Sequence, residues 1–132
     1  MLVEQQLDAG LELIVGGQND PRFGPVLMVG AGGVLAEVLQ DTAHRLAPVD
    51  RQEALEMVAG LRAAPLLDGH RGRAGIDRDA VADVVVAVGD LLTELPQVRE
   101  LDLNPILAGP GGRGCVAVDA LVVVGGGDEE GR

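Results

Sequence analysis

The 132-residue chain contains no lysine and no serine, and these absences exclude several kinds of chemistry. Without lysine the chain cannot form a Schiff base or build a phosphate-binding P-loop, and without serine it cannot use a serine nucleophile. Phe23 is the only aromatic residue, so stacking platforms for nucleic-acid bases are missing as well. We therefore expect a core made of Val, Leu, Ile and Ala.

Positive charge is also scarce, since 10 Lys plus Arg stand against 21 Asp plus Glu, for a formal net charge of −11. An acidic surface repels phosphate backbones, so no nucleic-acid partner is expected. Cys115 is the single cysteine, which excludes an internal disulfide and a cysteine zinc cluster and fits a reducing, cytoplasmic setting. We expect neither a signal peptide at the start nor a membrane span in the apolar region at 81–95.

The pattern of apolar residues predicts an α+β domain, with an antiparallel sheet and helices packed on one of its faces. Asp50 and Glu53 match a capping box at the start of a first helix, and Asp77 can cap a second one. The second helix carries one long apolar stripe between Val81 and Leu95. Short apolar runs bounded by glycine and proline turns predict strands at 2–7, 11–15, 26–29, 34–39, 98–108 and 115–124.

Oxygen-bearing side chains alternate with leucines in the predicted strand at 98–108. Because side chains alternate between the faces of a strand, Glu100, Asp102 and Asn104 share one face, whereas Leu101 and Leu103 share the other. A strand with an apolar face below and three polar side chains above is a candidate metal or phosphate site. The alternative is a set of solvated polar residues on an exposed sheet face.

The same strand is expected to form a hairpin about Gly111 and Gly112, which places Asn104 opposite Asp119. Opposed residues have Cβ atoms about 5 Å apart. One amide oxygen and one carboxylate at that distance can share a Mg²⁺ ion, which prefers oxygen ligands and usually takes only one or two carboxylates. This expectation depends on the register, because a slip of one residue would turn Asp119 to the wrong face.

An ordered set of motifs resembles the ATP-grasp domain of the ADP-forming acyl-CoA synthetases, which are relatives of the succinyl-CoA synthetase beta chain. The resemblance implies the second, C-terminal lobe of an ATP-grasp fold over residues 1–124, followed by a flexible acidic, glycine-rich tail at 125–132. The motifs are Glu12-Leu13-Ile14-Val15-Gly16, Asp20-Pro21-Arg22-Phe23-Gly24-Pro25-Val26, Gly30-Ala31-Gly32-Gly33, Glu37 with Asp41 and Arg45, Gly69-His70-Arg71-Gly72 and Glu100-Leu101-Asp102-Leu103-Asn104-Pro105.

The resemblance also implies roles for individual residues. Asn104 and Asp119 would hold the Mg²⁺ of the nucleotide, and Asp102 would be the catalytic acidic residue near the phosphorylated histidine. The hinge that contacts the adenine of ATP or ADP corresponds to Glu4, Gln5, Gln6 and Leu7, and the glutamate that binds the ribose corresponds to Glu12. His44 is interpreted as a surface or structural histidine, because the histidines that carry the phosphoryl group in the family lie in other segments.

The chain departs from the family in having no lysine-bearing first lobe, so the resemblance implies half of a nucleotide site that is inactive alone. The implied partners are that N-terminal lobe and a CoA-binding domain or subunit that carries the phosphohistidine. An apolar cleft face would also invite a second copy of the chain. The alternative function is a non-catalytic ligand-sensing or interaction module from a fusion with an acetyltransferase.

Overall fold

The structure is a computed structural model that describes residues 12–32, 41–62, 64–67, 69–70, 73–74, 76–108 and 114–125. Among these residues the main sheet is antiparallel and has six strands, in the order β3-β2-β1-β6-β7, with β8 also paired to β6. These strands are β1 (Glu12–Asp20), β2 (Gly24–Ala31), β3 (Thr42–Leu46), β6 (Val98–Ala108), β7 (Cys115–Ala117) and β8 (Ala120–Val124). A separate two-stranded sheet pairs β4 (Gly69–His70) with β5 (Arg73–Ala74).

Within the described residues three helices accompany the sheet, and the two longer ones begin at the caps expected from the sequence. They are α1 (Arg51–Ala59), α2 (Ala64–Leu67) and α3 (Arg78–Glu94). At α1, the Asp50 carboxylate accepts from the Glu53 backbone N–H at 2.8 Å, and the Glu53 carboxylate accepts from the Asp50 backbone N–H at 3.0 Å. At α3, the Asp77 carboxylate accepts from the Ala80 backbone N–H at 3.0 Å. Both caps satisfy backbone donors that a helix start otherwise leaves unpaired.

One face of the main sheet packs against the helices and is called the helix face. Leu13 and Val15 on β1, and Leu27 on β2, have no exposed surface there. The contact is close at Gly17, where an added Cβ would lie 2.7 Å from the Leu92 Cδ1 of α3. The same Cβ would clash with the Val26 backbone oxygen, so a side chain at position 17 would disturb the pairing of β1 with β2 and displace the Leu92 side chain. The core on this face is one cluster that also includes Val29, Met57, Val58, Val81, Val85, Leu92, Leu101 and Ile106.

A tight turn joins β1 to β2 and accounts for the Asp-Pro-Arg-Phe-Gly motif. The Asp20 carboxylate accepts hydrogen bonds from the backbone N–H groups of Arg22 and Phe23, at 2.7 and 3.1 Å. These bonds hold the pKa of Asp20 below its ordinary value. Gly24 closes the turn with a φ of 83°, a conformation that favours glycine.

The expected antiparallel sheet with helices on one face is confirmed, and β6 has the bounds that the sequence predicts. The strands expected at 26–29 and 11–15 are found as β2 and β1, and each is longer than predicted. The strand expected at 115–124 is divided into β7 and β8, while β3, β4, β5 and α2 were not predicted. The strands expected at 2–7 and 34–39, and residues 126–132 of the tail, lie outside the described residues.

The expected apolar stripe of α3 is only partly buried. The stripe of α3 is buried at Val81, Val85 and Leu92, but Leu91 is 36% exposed, and Leu95 is 39% exposed just beyond the last turn of the helix. Cys115 is half-buried and packs against the core, and burial is the main cause that raises the pKa of its thiol. No helix in the described part of the chain is both long and apolar enough to cross a membrane.

Candidate functional site

The face of the main sheet opposite the helices is called the open face, and it carries the polar side chains of β6. Leu101 is buried on the helix face at 7% exposure, while Glu100 and Asn104 on the open face are exposed and Asp102 is partly exposed. The alternation expected at 98–104 is therefore present. It places the oxygen-bearing side chains where a ligand can reach them.

Asn104 and Asp119 occupy opposed positions, as the glycine-centred hairpin predicts. The Asn104 backbone N–H donates to the Asp119 backbone oxygen at 3.2 Å, and the neighbouring pair on one side is Leu103 with Ala120. Both residues are exposed. One oxygen of the Asp119 carboxylate, Oδ1, accepts from the Ala120 backbone N–H at 2.8 Å. This bond fixes the Asp119 carboxylate against the start of β8. The second oxygen of the carboxylate is available to a ligand.

An irregularity in β6 coincides with Asn104. The register with β1 shifts between Leu13 and Val15, which pair with Ile106 and Leu103, so Asn104 and Pro105 together oppose a single residue of β1. The Asn104–Pro105 peptide bond is cis. A bulge of this kind re-aims a side chain, and bulges are common beside functional sites. Here it lies where the partner of β6 changes from β8 to β7.

The donor set at this position fits a hard divalent cation. Asn104 supplies an amide oxygen and Asp119 a carboxylate, both exposed to water. Mg²⁺ keeps several water or phosphate ligands and needs few protein oxygens, so two donors on one sheet edge are enough to hold it beside a nucleotide. Within the described ranges there is no group of three or more His, Cys, Asp or Glu residues that could hold a metal ion together.

Asp102 lies at the wall of a groove on the open face. The groove has a volume of about 240 Å³, and glycines form its floor. Gly16 pairs with Asp102 across the sheet, and a Cβ at position 16 would lie 3.2 Å from the Asp102 Oδ1 and 2.6 Å from the Leu101 backbone oxygen. Any larger residue would fill the groove at this point. Its lining is Gly16, Gly17, Gln18, Val26, Met28, His44, Glu100, Leu101 and Asp102.

His44 belongs to this groove, which sequence reasoning missed because it did not predict β3. Thr42, His44 and Leu46 are exposed, whereas Ala43 and Arg45 are partly buried. The alternation of outward and inward residues is the only signal in the local sequence that predicts a strand here. It is weak because Arg45, one of the inward residues, is charged. Arg45 instead reaches α1, where its guanidinium lies 3.4 Å from the Glu56 carboxylate.

Of the five residues expected to bind the nucleoside, Glu12 alone lies within the described residues. Glu4, Gln5, Gln6 and Leu7 lie outside the described residues. Glu12 begins β1, is partly exposed, and alternates onto the open face with Gly16; its backbone oxygen accepts from the Gly32 N–H at 2.7 Å. Its assignment to ribose stays a prediction, as do those of Asp102, Asn104 and Asp119.

Comparison with known proteins identifies the family. Residues 1–124 match the family of ATP-grasp domains. The chain belongs to the ATP-grasp family. The beta subunit of ADP-forming acetate–CoA ligase I from Pyrococcus furiosus is 41% identical over 124 residues, which are 94% of this chain and 53% of that protein. The ADP-forming 4-hydroxybutyrate–CoA ligase of Nitrosopumilus maritimus is 36% identical over 122 residues, 92% of this chain and 18% of that protein.

Solved structures show the same fold. An acetyl-coenzyme A synthetase from Candidatus Korarchaeum cryptofilum is 39% identical, with a TM-score of 0.82, and the match covers 88% of this chain and 54% of that one. That protein was solved with coenzyme A and Mg-AMPPCP, its phosphohistidine segment pointing towards the nucleotide-binding site. The chain thus spans about half the length of that Pyrococcus furiosus beta subunit and of that solved Korarchaeum chain.

Proposed function

We propose that this ATP-grasp chain is the nucleotide- and Mg²⁺-binding half of an ADP-forming acyl-CoA synthetase. The whole reaction converts an acid, CoA and ATP into acyl-CoA, ADP and phosphate through a phosphohistidine. The observation that carries the proposal is the opposition of Asn104 and Asp119 across the β6–β8 junction, joined by a backbone hydrogen bond of 3.2 Å. The synthetase relatives at 36–41% identity support the same reaction class.

Each residue of the site has a defined part in this proposal. Asn104 and Asp119 hold the metal of Mg-ATP or Mg-ADP, and Glu12 with the hinge at 4–7 binds the nucleoside. The cation, when bound, offsets the charge that develops on the transferred phosphoryl group. Asp102 orients the imidazole that exchanges the phosphoryl group. The acyl group is chosen elsewhere, since relatives that act on acetate and on 4-hydroxybutyrate share this domain.

The rest of the enzyme comes from segments that this chain does not contain. With a net charge of −11 and no lysine, the chain has little to neutralise a triphosphate, so the first lobe must supply cationic groups. A CoA-binding domain or subunit must supply the histidine. We therefore expect the chain alone to show no synthetase turnover, either in the cytoplasm or as a purified protein.

The test uses the chain joined to the first lobe of a relative, with the histidine-bearing subunit added. Asp119→Ala is expected to lower formation of phosphoenzyme from labelled ATP by about a hundredfold or more, because the phosphoryl group loses its metal. Asp90→Ala, which removes an exposed carboxylate from α3, is the matched control and should leave the rate unchanged.

Circular dichroism should show that both variants keep the fold. Wild-type levels of phosphoenzyme in the Asp119→Ala protein would overturn the metal assignment. The alternative, a non-catalytic ligand-sensing module, predicts that the wild-type protein binds Mg-ATP without forming phosphoenzyme, so the same measurement separates the two functions.

A further inference from the structure

The strand β8 lies at the outer edge of the main sheet. It pairs with β6 on one side, and within the described ranges no strand pairs with its other side. All five residues of β8, Ala120–Val124, are exposed. An edge strand presents unpaired backbone N–H and C=O groups, which another strand can bind. This edge is therefore a candidate interaction surface.

Apolar side chains cover both faces of β8. Val122 pairs with Leu101 and so lies on the helix face, whereas Leu121 pairs with Asp102 and lies on the open face. Val122 is 52% exposed and Leu121 is 54% exposed. A partner laid against one face of the sheet would cover one of these side chains, whereas a strand added in the plane of the sheet contacts both. The exposure on both faces therefore fits the addition of a strand.

The two edges of the main sheet differ in how they resist such pairing. At the opposite edge, β3 carries His44 and Arg45, and the Arg45 guanidinium lies 3.4 Å from the Glu56 carboxylate of α1. Charged side chains commonly keep edge strands from pairing. The sequence of β8 is Ala-Leu-Val-Val-Val, without charge or proline, in a chain of net charge −11. Of the two edges, β8 is the one whose composition accepts a strand.

The strand that matches β8 is the β8 of a second copy. Antiparallel pairing about a two-fold axis at Val122 sets Leu121 opposite Val123 and Ala120 opposite Val124. Every cross-strand pair is then apolar, whereas a charged strand would find no opposite charge on β8. We propose that two copies of this chain associate through antiparallel pairing of their β8 strands, which joins their main sheets into one.

The size and charge of this interface set the expected affinity. Pairing of five residues with their neighbours buries about 500 Å² on each copy, so the total of about 1,000 Å² is near the lower limit of a specific interface. The net charge of −11 makes the copies repel each other, and salt screens this repulsion. We expect a dimer with a dissociation constant on the order of 10 μM that tightens as salt is added.

This inference goes beyond the proposed function and does not depend on it. Pairing at the edge occurs in the plane of the sheet, so the open face stays accessible to nucleotide and to the first lobe. Each copy has one uncharged edge, and an interface in which the same strand meets itself closes at two copies. We therefore expect a dimer and no larger assembly.

The test measures the molar mass of the chain by sedimentation equilibrium over concentrations from about 1 to about 300 μM. Val122→Lys should weaken association about tenfold or more, because it sets two like charges opposite each other. Leu46→Lys is the matched control, since Leu46 is 58% exposed on β3 at the opposite edge. It should associate like the wild type, and circular dichroism should show that both variants keep the fold.

A charge exchange at position 122 tests the register itself. Val122→Lys and Val122→Glu should each be largely monomeric alone, because residue 122 faces its own copy across the two-fold axis. An equimolar mixture of the two variants should form a mixed dimer, because the lysine then faces the glutamate. A variant that had lost its fold could not be rescued in this way.

The inference is overturned if the wild type stays monomeric over the whole range, if Val122→Lys associates as tightly as the wild type, or if Leu46→Lys loses as much affinity. It is also overturned if the mixture stays monomeric or if assemblies grow beyond two copies. With a monomeric wild type, slower hydrogen exchange of β8 amides after addition of the first lobe would assign this edge to that lobe. A failure of the proposed function would instead appear as undiminished phosphoenzyme in Asp119→Ala, with dimerisation unchanged.

Discussion

The two faces of the main sheet are built from the same strands but serve different purposes. On the helix face, Leu13, Val15 and Leu27 are completely buried beneath α3. On the open face, neighbouring positions carry Gly16, Met28 and partly exposed Asp102. The period of two in a strand lets one segment supply both a core and a ligand surface. Stability and chemistry should therefore respond to different substitutions, even when these are adjacent in sequence.

The largest expected effect that separates the faces comes from adjacent residues of β2. Leu27 has no exposed surface, and its Cδ1 lies 3.0 Å from the position that a Cβ at Gly89 of α3 would take. Leu27→Ala should lower the free energy of unfolding by about 3 kcal/mol, since it leaves a cavity between sheet and helix. Urea unfolding followed by circular dichroism measures this change.

Met28→Ala is the matched control on the open face. It should lower the free energy of unfolding by less than about 1 kcal/mol, because Met28 is already partly exposed. Equal losses of stability in the two variants would contradict the division between the faces.

A smaller effect is expected at the end of the β1–β2 hairpin, beyond both faces. Backbone hydrogen bonds from Arg22 and Phe23 lower the pKa of Asp20, so the folded state favours the ionised carboxylate. The stabilisation is present above the pKa that Asp20 has in the unfolded chain, and it is lost as the pH falls through the lower pKa of the folded state. Asp20→Asn should therefore be slightly less stable than the wild type at pH 7.

Urea midpoints measured from pH 7 to pH 2.5 test this prediction, and the difference between the two proteins should close towards the acid end. A difference in urea midpoint that stays constant from pH 7 to pH 2.5 would mean that the charge of Asp20 contributes nothing to stability.

The sequence predicts local features of this fold better than long-range ones. The caps at Asp50 and Asp77, the bounds of β6 and the opposition of Asn104 to Asp119 all follow from nearby residues. The last depends only on symmetry about a glycine turn, which fixes the register of a hairpin.

The groove could not be predicted in the same way, because it depends on the order of four strands. β3 is short, carries Arg45 on its inward side and pairs with β2 across the segment at 33–40. Only that pairing brings His44 into one row with Asp102, and the sequence near His44 shows no sign of it. The interpretation of His44 as a surface or structural histidine is therefore incomplete: it is exposed, and it lines the groove.

The most direct test of the central claim is to locate the divalent cation on the chain by NMR. Mn²⁺ replaces Mg²⁺ and broadens signals from nearby nuclei, so it is titrated into the chain in the presence of ADP. The account predicts that the Asn104 side-chain amide and the Asp119 and Ala120 backbone amides broaden first, while amides of Val85 and Leu92 in α3 persist, and that Asp119→Asn removes this pattern. Broadening that begins elsewhere, or that is unchanged in Asp119→Asn, would contradict it.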